Sequence, residues 1–591
     1  MRILGIHDAI DSGAAIMEDG KIIAAVGEER VIRSKLAYGF PREAIRTVLE
    51  VANLGPADID EVAVATRNNY LVNAIVPFKG WYETRNNFFR SLFMSAAFKI
   101  SPLAVKLGFL EKLYYSLRNP IFANRRRQIP LILKREFGIS CPVDFVDHHL
   151  SHAASAYYSA PYRDATVVTL DGGGDGLSAA VYAVRNGRFE KLSQNSSLNS
   201  IGNFYSYVTH ICGFTTHKHE GKITGLAAYG EPKHVDIFRS LMVLREGRII
   251  NSSKLFGSNA IKRIKDLLPE DFSPADLAAS IQLFLEEVVT EYIRYWTQRT
   301  GLGQLALAGG VFANVKVNQR LHELDTVDSV FIHPAMGDDG IAAGAALAHY
   351  YGSHAPEELE VSRCLEQVYF GPQFSDEAIE RDLELNGLEY TSHQDIEYQI
   401  ARLLSEGYVV ARFNGRMEYG PRALGNRSIL YQPTDHSVND WLNKGLDRTE
   451  FMPFAPSTLQ KYTDQCFKDV RGAEDAARFM TITFNCTDWM KEHCQGVVHI
   501  DNTARPQLVS QDDNPSYYKI IDEYRKLTGL PTVVNTSFNI HEEPIVCTPS
   551  DAIRAFKMGH LDYLAIGNFL VKNPMPITRA LVPSARAEVH S

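Results

Sequence analysis

Two motifs decide how the chain is organised: D-H-H-L-S-H-A-A-S-A-Y-Y at 147–158 and T-V-V-T-L-D-G-G-G-D-G at 166–176. On a helix, residues four apart share one face, so His148 and His152 point the same way, as two ligands of one metal ion would. Asp171 follows at the end of an apolar, β-branched run that predicts a strand. The pattern favours a metal site. The competing interpretation is that both histidines are ordinary polar residues of a helix.

The glycines after this strand predict a second kind of contact. Gly172, Gly173 and Gly174 have no side chains, which lets the backbone approach a ligand closely. A strand end followed by glycines suits phosphate bound by backbone N–H groups. His149 lies one residue further round the helix, so we expect it to be structural or to support the metal ligands.

Length and composition indicate a globular protein with two or more domains. The chain has 591 residues, too many for one core, and it is 45% apolar and 22% charged. Its net charge of -9 argues against nucleic acid as the main partner. The seven cysteines include no C-x-x-C pair, so a reducing cytoplasm fits best. No apolar run is long enough to predict stable insertion into a membrane.

The first half begins with a predicted β-hairpin formed by residues 2–7 and 21–26. A charge run at 28–35 follows, for which a solvated face is the ordinary interpretation. Residues 80–137 read as mostly helical, with aromatic and basic residues interleaved. We expect a helical insertion with a basic outer surface; a membrane-surface amphipath, a lid and a dimer face are the alternatives.

Two further strand patterns complete this half. Residues 305–318 predict a strand, a turn at Gly309 and Gly310, and the start of a helix. The strand predicted at 329–332 leads to Asp338, before a helix of small residues. With the motif at 166–176, these make three strand–glycine–helix units. They predict an α/β domain that binds its ligand at the strand ends.

The second half has a different set of motifs, after a plausible linker at 351–366. Its centre is G-R-M-E-Y-G-P-R-A-L-G-N-R-S-I-L at 415–430, and three others follow at 443–457, 497–507 and 533–546. Arginine, lysine and hydroxyl side chains on Gly- and Pro-marked turns indicate a pocket for polyphosphate or acyl phosphate. The alternative is that these residues form ordinary ion pairs. Because four such motifs occur, we regard that alternative as the minority interpretation.

These motifs resemble the O-carbamoyltransferase family of nodulation-factor and antibiotic tailoring enzymes (the NodU/CmcH type), from residue 1 to about residue 570. The resemblance implies an α/β protein with an actin-like ATPase (ASKHA-type) domain at 1–355. It implies a YrdC-like α/β domain at 365–572, followed by a tail at 573–591. It also implies a carbamoyltransferase that uses ATP, with Mg, and carbamoyl phosphate as co-substrates. The acceptor would be a hydroxyl of a small-molecule natural product, with an amine as the alternative; a homodimer is left open.

The resemblance further implies two steps and a role for particular residues. The second domain would form carbamoyl adenylate, and the first would transfer the carbamoyl group. A divalent metal, Fe(II) with Mn or Zn as alternatives, would be held by His148, His152, Asp171 and Asp338. Cofactor and co-substrate binding would fall to Gly172, Gly173, Gly174, Glu220, Gly309, Gly310, Asn314, Arg416, Glu418, Arg422, Arg427, Ser428, Lys444, Arg448, His499, Arg505, Asn535, Thr536 and Ser537.

The catalytic groups implied for the opening turn are His7, Asp8, Asp11 and Lys35. One departure affects them, because the histidine base of the family falls on Ile10 or Asp11 in this chain. Either His7 or a carboxylate takes that role, or the acceptor needs no strong base. Two other functions compete with carbamoyl transfer. They are an ATPase of the kinase or chaperone type that uses the first domain alone, and a scaffold that has lost transfer activity.

Overall fold

The computed structural model describes residues 1–78, 109–353, 364–447, 451–574 and 576, with side chains of the helix beginning at Phe109 described from residue 117 onward. The chain divides into two compact units. The first comprises Met1–Glu29, Leu36–Leu365 and Arg471–Ala476, and the second Arg30–Lys35, Glu366–Val470 and Ala477–Ser591. The sequence predicts a division near residue 365, but not the assignment of the two short segments.

The first unit contains two five-stranded sheets with the same topology. In order across the first sheet, the strands are Lys21–Gly27, Gly13–Glu18, Arg2–His7, Glu61–Ala65 and Val143–Val146. Across the second sheet they are Arg188–Ser196, Leu177–Arg185, Asp164–Gly174, Gln304–Ala308 and Ser329–Ile332. In each sheet three antiparallel strands are followed by two that run parallel to the first of them. This duplication is the actin-like arrangement that the resemblance implies.

Small residues let two helices pack closely inside this unit. The small-residue helix, Ile341–Ser353, packs on the first sheet and against the histidine helix, His148–Ser159. A Cβ on Gly5 would lie 2.0 Å from the carbonyl oxygen of Ala342, and a Cβ on Gly344 would lie 2.0 Å from that of Ser151. Glycine is therefore required at both contacts, since no larger residue fits without moving backbone.

The structure corrects the predicted opening hairpin. Strand 2–7 does not pair with strand 21–27; each pairs with an intervening strand, Gly13–Glu18. Sequence reasoning missed that strand because its A-A-I-M core is short and lies between two turn signals. The carboxyl end of the first strand, with His7, therefore meets a turn at residues 8–12.

The prediction of three strand–glycine–helix units is wrong for one of them. Strand Asp164–Gly174 is followed by an antiparallel strand, Leu177–Arg185, through a turn at Asp175 and Gly176. Gly172 and Gly173 therefore lie at the mouth of a β-hairpin. The other two units have the expected order, since helices Val315–His322 and Ile341–Ser353 follow strands Gln304–Ala308 and Ser329–Ile332.

The other helices of the first unit are Arg42–Ala52, Phe109–Ile132, Ile201–Ile211, Glu220–Leu226, Val235–Leu241, Ser258–Leu267 and Pro274–Thr300. Residues 80–108 of the predicted insertion lie outside the described residues. Its described part is helical, but Arg125 is completely buried, so the basic residues are not all on an outer surface. Residues 351–353 of the predicted linker still belong to the small-residue helix. Among the described residues, no helix is both long and apolar enough to cross a bilayer.

The second unit is built on one mixed sheet of eight strands. Their order is Tyr390–Ser392, Phe569–Lys572, Tyr563–Ile566, Val410–Phe413, Arg427–Tyr431, Thr532–Ser537, Ala455–Leu459 and Gln507–Val509. Its principal helices are Asp376–Leu385, Ile396–Ser405, Val438–Gly445, Asp488–His493, Pro515–Thr528 and Pro549–Met558. Helices Ile396–Ser405 and Pro515–Thr528 pack together, and their apolar residues form a core against the sheet.

Candidate functional site

Four side chains predicted as metal ligands meet in the first unit. Nε2 of His148 lies 3.4 Å from Oδ2 of Asp171 and 3.5 Å from Oδ1 of Asp338. Nε2 of His152 lies 3.3 Å from the same Asp338 oxygen. One ligand atom from each of the four residues falls within 4.8 Å of all the others. The fold thus brings together all four side chains that the sequence predicts as metal ligands.

The secondary structure explains why these groups converge. The histidine helix begins directly after Asp147, whose carboxylate accepts a hydrogen bond from the Leu150 N–H. Asp171 lies in the last part of the central strand of the second sheet, and Asp338 begins the short turn before the small-residue helix. Parallel strands bring their carboxyl ends to one edge, which is where α/β proteins bind ligands.

The surroundings of these four residues fit a cation. A metal bound about 2.1 Å from each tetrahedral ligand would separate those ligands by about 3.4 Å, close to the contacts above. Within the described residues, neither ring nitrogen of His152 nor Oδ1 of Asp338 makes a hydrogen bond of good geometry, although all three atoms are buried. Nδ1 of His148 contacts the Thr66 hydroxyl at 3.0 Å, which orients the ring as metal-bound histidines require.

The charges of the cluster are consistent with this fit. Burial would lower the pKa of His148, but the carboxylates of Asp338 and Asp171 raise it to about 9. Burial pushes the pKa of Asp171 up, yet the hydrogen bond with His148 and the charges of His152 and His148 hold it well below its usual value. Two partly buried carboxylates this close together favour positive charge nearby, which a divalent ion would supply.

His149 does not belong to the group of four candidate ligands. Its Nδ1 lies 2.8 Å from the Thr169 hydroxyl, and burial followed by the charge of His148 lowers its pKa to about 3. His333, at the end of strand Ser329–Ile332, is also completely buried, and burial lowers its pKa to about 3. Both imidazoles are therefore neutral in the folded protein at neutral pH.

We expect His333 to make the protein sensitive to acid. Because its folded pKa is below the unfolded value of about 6.5, the unfolded state binds the additional proton as pH falls from about 6.5 toward 3, and stability is lost in that window. Between pH 7 and pH 5 this amounts to about 2 kcal/mol. His333→Gln should weaken the fall in unfolding midpoint over this range, whereas His436→Gln, at an exposed position, should not. Identical pH profiles for all three proteins would contradict this expectation.

Contacts in the opening turn distinguish among the residues predicted as the catalytic base. Asp8 is completely buried and paired with Arg125, whose Nε donates to its carboxylate at 2.8 Å. Because the guanidinium of Arg125 holds both oxygens of this carboxylate, the surroundings of Asp8 argue against its predicted role as base. His7 donates through Nε2 to the carbonyl of Ile10 at 3.0 Å, which leaves Nδ1 as the unprotonated nitrogen of a neutral ring.

Asp11 is the other carboxylate of the turn, and it is still a candidate for the catalytic base. Its backbone is in the left-handed region, at a φ of 57°. Burial, followed by the charges of Glu29, Asp339 and Asp338, raises its pKa well above the ordinary value. A raised pKa is what a general base working near neutral pH requires. Lys35 is partly buried and belongs to the second unit, and its catalytic role stays a prediction.

The residues predicted to bind nucleotide divide into two groups. The N–H of Gly310 donates to Asp171 at 3.2 Å, and that of Gly173 to the same carboxylate at 3.3 Å, so both glycine turns lie beside the four candidate ligands. Gly309 has a φ of 109°, and a Cβ there would lie 2.2 Å from the carbonyl oxygen of Leu170. The glycines therefore allow the backbone to pack closely at this edge, in addition to any contact with a ligand.

Asn314 and Glu220 point into a buried polar network instead of an open turn. Asn314 caps helix Val315–His322, and its Nδ2 donates to Gln282 at 2.8 Å. Glu220 accepts hydrogen bonds from the Ser206 hydroxyl at 2.7 Å and the His217 N–H at 2.8 Å. These contacts hold both side chains within the fold around the site, and their predicted role in nucleotide binding stays a prediction.

In the second unit, the four motifs converge on the last four strands of the sheet, in the order given above. Nδ2 of Asn535 donates to the Ala423 carbonyl at 3.2 Å, to Ser457 at 3.0 Å and to Gln507 at 3.0 Å. Ser428 faces Ser537 on adjacent strands. One residue from each motif thus belongs to a single hydrogen-bonded group. From the sequence alone, the four motifs could be related only by their similar composition.

Not every residue predicted for this pocket faces it. Arg427 is completely buried above the Phe413 ring, and its guanidinium donates to the carbonyls of Asn414 at 2.7 Å and Asn426 at 3.0 Å. Burial lowers its pKa to about 10. Ser428 is also buried, and its hydroxyl accepts from the Gly425 N–H at 2.9 Å. These contacts show that both residues support the fold of the motif, and their predicted part in binding stays a prediction.

Glu418 organises the arginine motif from within. One of its carboxylate oxygens accepts hydrogen bonds from the N–H groups of Leu424, Asn426 and Arg427 at 2.9, 2.6 and 2.9 Å. Through these three hydrogen bonds, the carboxylate stabilises the loop, and its negative charge would repel phosphate. Its other oxygen, Oε2, is buried and has no hydrogen-bond partner in the described part of the chain.

The other predicted residues of this unit differ in exposure. Arg422, Arg505, Thr536 and Ser537 are partly buried, Lys444 is exposed, and Arg448 lies outside the described residues. Arg416 is partly buried and donates to the carbonyls of Phe370 at 2.9 Å and Gly371 at 3.3 Å. His499 contacts Asp501 at 3.2 Å. Their roles in binding stay predictions.

Comparison with known proteins decides the family. Residues 2–347 match the family described as Carbamoyltransferase N-terminus, and residues 401–573 match Carbamoyltransferase C-terminus. The chain belongs to the carbamoyltransferase family. It is 33% identical to Nodulation protein NolNO of Sinorhizobium fredii over 578 residues, covering 95% of this chain and 79% of that protein.

Two other proteins are similar to this chain at comparable identity. Uncharacterized protein MJ1058 of Methanocaldococcus jannaschii is 34% identical over 78% of this chain and 79% of its own length. Uncharacterized protein sll1178 of Synechocystis is 32% identical over 97% of both chains. Because the two family matches fall on the two compact units, this carbamoyltransferase has both parts of the family's architecture.

Three residues of this carbamoyltransferase that support the site were missed by sequence reasoning. Arg125 neutralises Asp8, and Thr66 orients His148. Asp175 accepts a hydrogen bond from the N–H of His148 at 2.9 Å, tying the glycine hairpin to the histidine helix. Of the three, only Asp175 has a local sequence feature that could have indicated its role, namely its place between two glycines. Arg125 and Thr66 contact residues that are distant in the sequence.

Proposed function

We propose that the protein makes carbamoyl adenylate from carbamoyl phosphate and ATP and transfers the carbamoyl group to a hydroxyl of a small-molecule natural product. The observation that carries the proposal is the convergence of four arginine-, amide- and hydroxyl-bearing motifs in the second unit. An ATPase acting through the first unit alone would leave that convergence unexplained. Relatives named nodulation proteins fit the resemblance to nodulation-factor tailoring enzymes.

The first step requires residues that bind phosphate oxygens. Water would release phosphate from carbamoyl phosphate and leave carbamate. A carbamate oxygen would then attack the α-phosphorus of ATP, and pyrophosphate would leave with the bonding electrons. Negative charge builds on the phosphate oxygens in this step, so cations and N–H donors stabilise it. Arg422, Arg505 and Arg416 are the partly buried arginines of the motifs that would do this.

The second step needs a bound adenylate and a proton acceptor. The acceptor oxygen would form a bond to the carbamoyl carbon, and the bond from that carbon to the adenylate oxygen would break as AMP leaves. The hydroxyl proton would pass to Nδ1 of His7 or to the carboxylate of Asp11. His148, His152, Asp171 and Asp338 would hold a divalent metal. That metal would supply Lewis-acid stabilisation of the phosphate and carbonyl oxygens.

The products formed from ATP distinguish this proposal from its competitors. Purified protein is incubated with ATP, carbamoyl phosphate, Mg²⁺ and a panel of sugars, polyols and amines. The proposal expects AMP and pyrophosphate, together with one acceptor whose mass increases by one carbamoyl group. ADP and phosphate formed without carbamoyl phosphate would favour the ATPase. No turnover with any acceptor would favour the scaffold.

A further inference from the structure

One segment of the second unit comes from far away in the sequence. Residues 30–35 lie between strands Lys21–Gly27 and Ala37–Tyr38, but they group with the second unit. Arg30 and Arg33 of this segment donate hydrogen bonds to backbone carbonyls in two of the converging motifs. The charge run predicted as a solvated face is therefore largely engaged, since Arg30 has only 7% of its surface exposed.

Arg33 holds the loop that follows the N-T-S-F-N sequence. Its two terminal nitrogens donate to the carbonyls of Ile545 at 2.6 Å and Pro544 at 2.7 Å. Carboxylates balance its charge, with Asp551 at 3.2 Å and Glu543 at 3.8 Å. A planar guanidinium can serve two adjacent carbonyls at once, whereas a lysine ammonium is a single point of charge.

This loop is joined directly to the arginine motif. The N–H of Val546 donates to the Phe538 carbonyl at 2.9 Å, and the N–H of Phe538 donates to the Arg427 carbonyl at 3.0 Å. Asn539 closes the loop from inside through a hydrogen bond from its Nδ2 to the Glu543 carbonyl at 2.9 Å. A shift of the carbonyls that Arg33 binds would therefore move the backbone beside Ser537 and Arg427.

Arg30 makes the matching contact on the arginine motif itself. Its guanidinium donates to the carbonyl of Gly420 at 2.9 Å. Gly420 has a φ of 98° and stands two residues before Arg422, so its orientation sets the direction in which that side chain leaves the loop. The two arginines thus fix the backbone on both sides of the group of converging motifs.

We infer that Arg30 and Arg33 are positioning residues for adenylate formation, holding the loops at 420–422 and 538–546 in the geometry that binds ATP and carbamoyl phosphate. This inference rests on the proposed function. It means that the adenylate-forming site is incomplete without a segment encoded in the first 35 residues. Neither arginine needs to touch substrate for this role.

The experiment measures pyrophosphate exchange into ATP and amide hydrogen exchange on the full-length protein. The variants are Arg33→Ala, Arg33→Lys and Arg30→Ala. The control is Arg402→Ala, a half-exposed arginine of the same unit that pairs with Glu406 one turn away on its helix. Arg33→Ala should lower exchange by about 100-fold and raise KM for ATP and carbamoyl phosphate, since displacement by about 1 Å costs that much. Arg33→Lys should fall between Arg33→Ala and the wild type.

Amide exchange separates this inference from the proposed function. Peptides covering 415–427 and 538–547 should lose protection in Arg33→Ala and Arg30→Ala but not in Arg402→Ala. A purely structural defect would lower the folded fraction and leave KM unchanged. Loss of protection with KM and turnover unchanged would overturn the positioning role, as would unchanged protection. Wild-type protein without any exchange activity would refute the proposed function instead, and with it the catalytic meaning of the two arginines.

Discussion

Arg125→Ala is expected to lower the free energy of unfolding of the first unit by about 3–5 kcal/mol, the usual cost of removing one partner from a buried ion pair. Arg125 and Asp8 are both completely buried, and the guanidinium also donates to the Thr66 carbonyl at 2.8 Å. The substitution would leave the Asp8 carboxylate buried without its counter-charge. Chemical denaturation followed by tryptophan fluorescence measures the loss.

The control for this variant lies on the same helix. Arg127 is exposed, and Arg127→Ala should change stability by less than about 0.5 kcal/mol. The double variant Arg125→Met with Asp8→Asn should recover much of the loss, because it removes both charges together. Equal stability of Arg125→Ala and the wild type would show that Asp8 is not held as described, and would return Asp8 to the candidates for the base.

The sequence predicted that the four candidate metal ligands would lie together, because their placement depends on short spacings. The four-residue interval between His148 and His152 and the strand ending at Asp171 are local features, and the helix and strand formed as expected. The strand at 329–332 likewise placed Asp338 at a strand end. The family comparisons agree with the resemblance carried by the motifs of both halves.

The sequence did not predict which side chains of a motif are buried and which face solvent, because residue type alone does not determine this. Arg422 and Arg427 look equivalent in the motif, yet Arg427 is completely buried among backbone carbonyls and Arg422 is partly exposed. Glu418 appears as one more polar residue, whereas it folds the loop. The partners of Asp8 and Arg33 lie more than a hundred residues away, and no local pattern reports such contacts.

His152→Ala should abolish metal-dependent behaviour of the first unit. Loss of a direct ligand should weaken metal affinity by more than the about 10–100-fold typical of supporting residues. Wild-type protein should gain about 2.7 kcal/mol of stability when free metal reaches about 100 times its Kd, and the variant should gain almost none. Thermal unfolding with and without Fe(II), Mn(II) or Zn(II) measures this effect independently of catalysis.

The same variant also tests the separation of the two steps. Carbamoyl transfer should be lost in His152→Ala, while pyrophosphate exchange continues. His349→Ala is the matched control, since this histidine belongs to the same unit and is ion-paired with Glu61 away from the cluster. Metal-dependent stabilisation equal to the wild type would refute the metal site. Equal loss of transfer and exchange would contradict two separate sites.

The central claim is that a carbamoyl adenylate is formed before any acceptor reacts. Its most direct test is the exchange of labelled pyrophosphate into ATP by the wild-type protein, without acceptor and with or without carbamoyl phosphate. The account predicts label in ATP only when carbamoyl phosphate is present. Transfer of the carbamoyl group without any such exchange, or exchange that does not require carbamoyl phosphate, would contradict it.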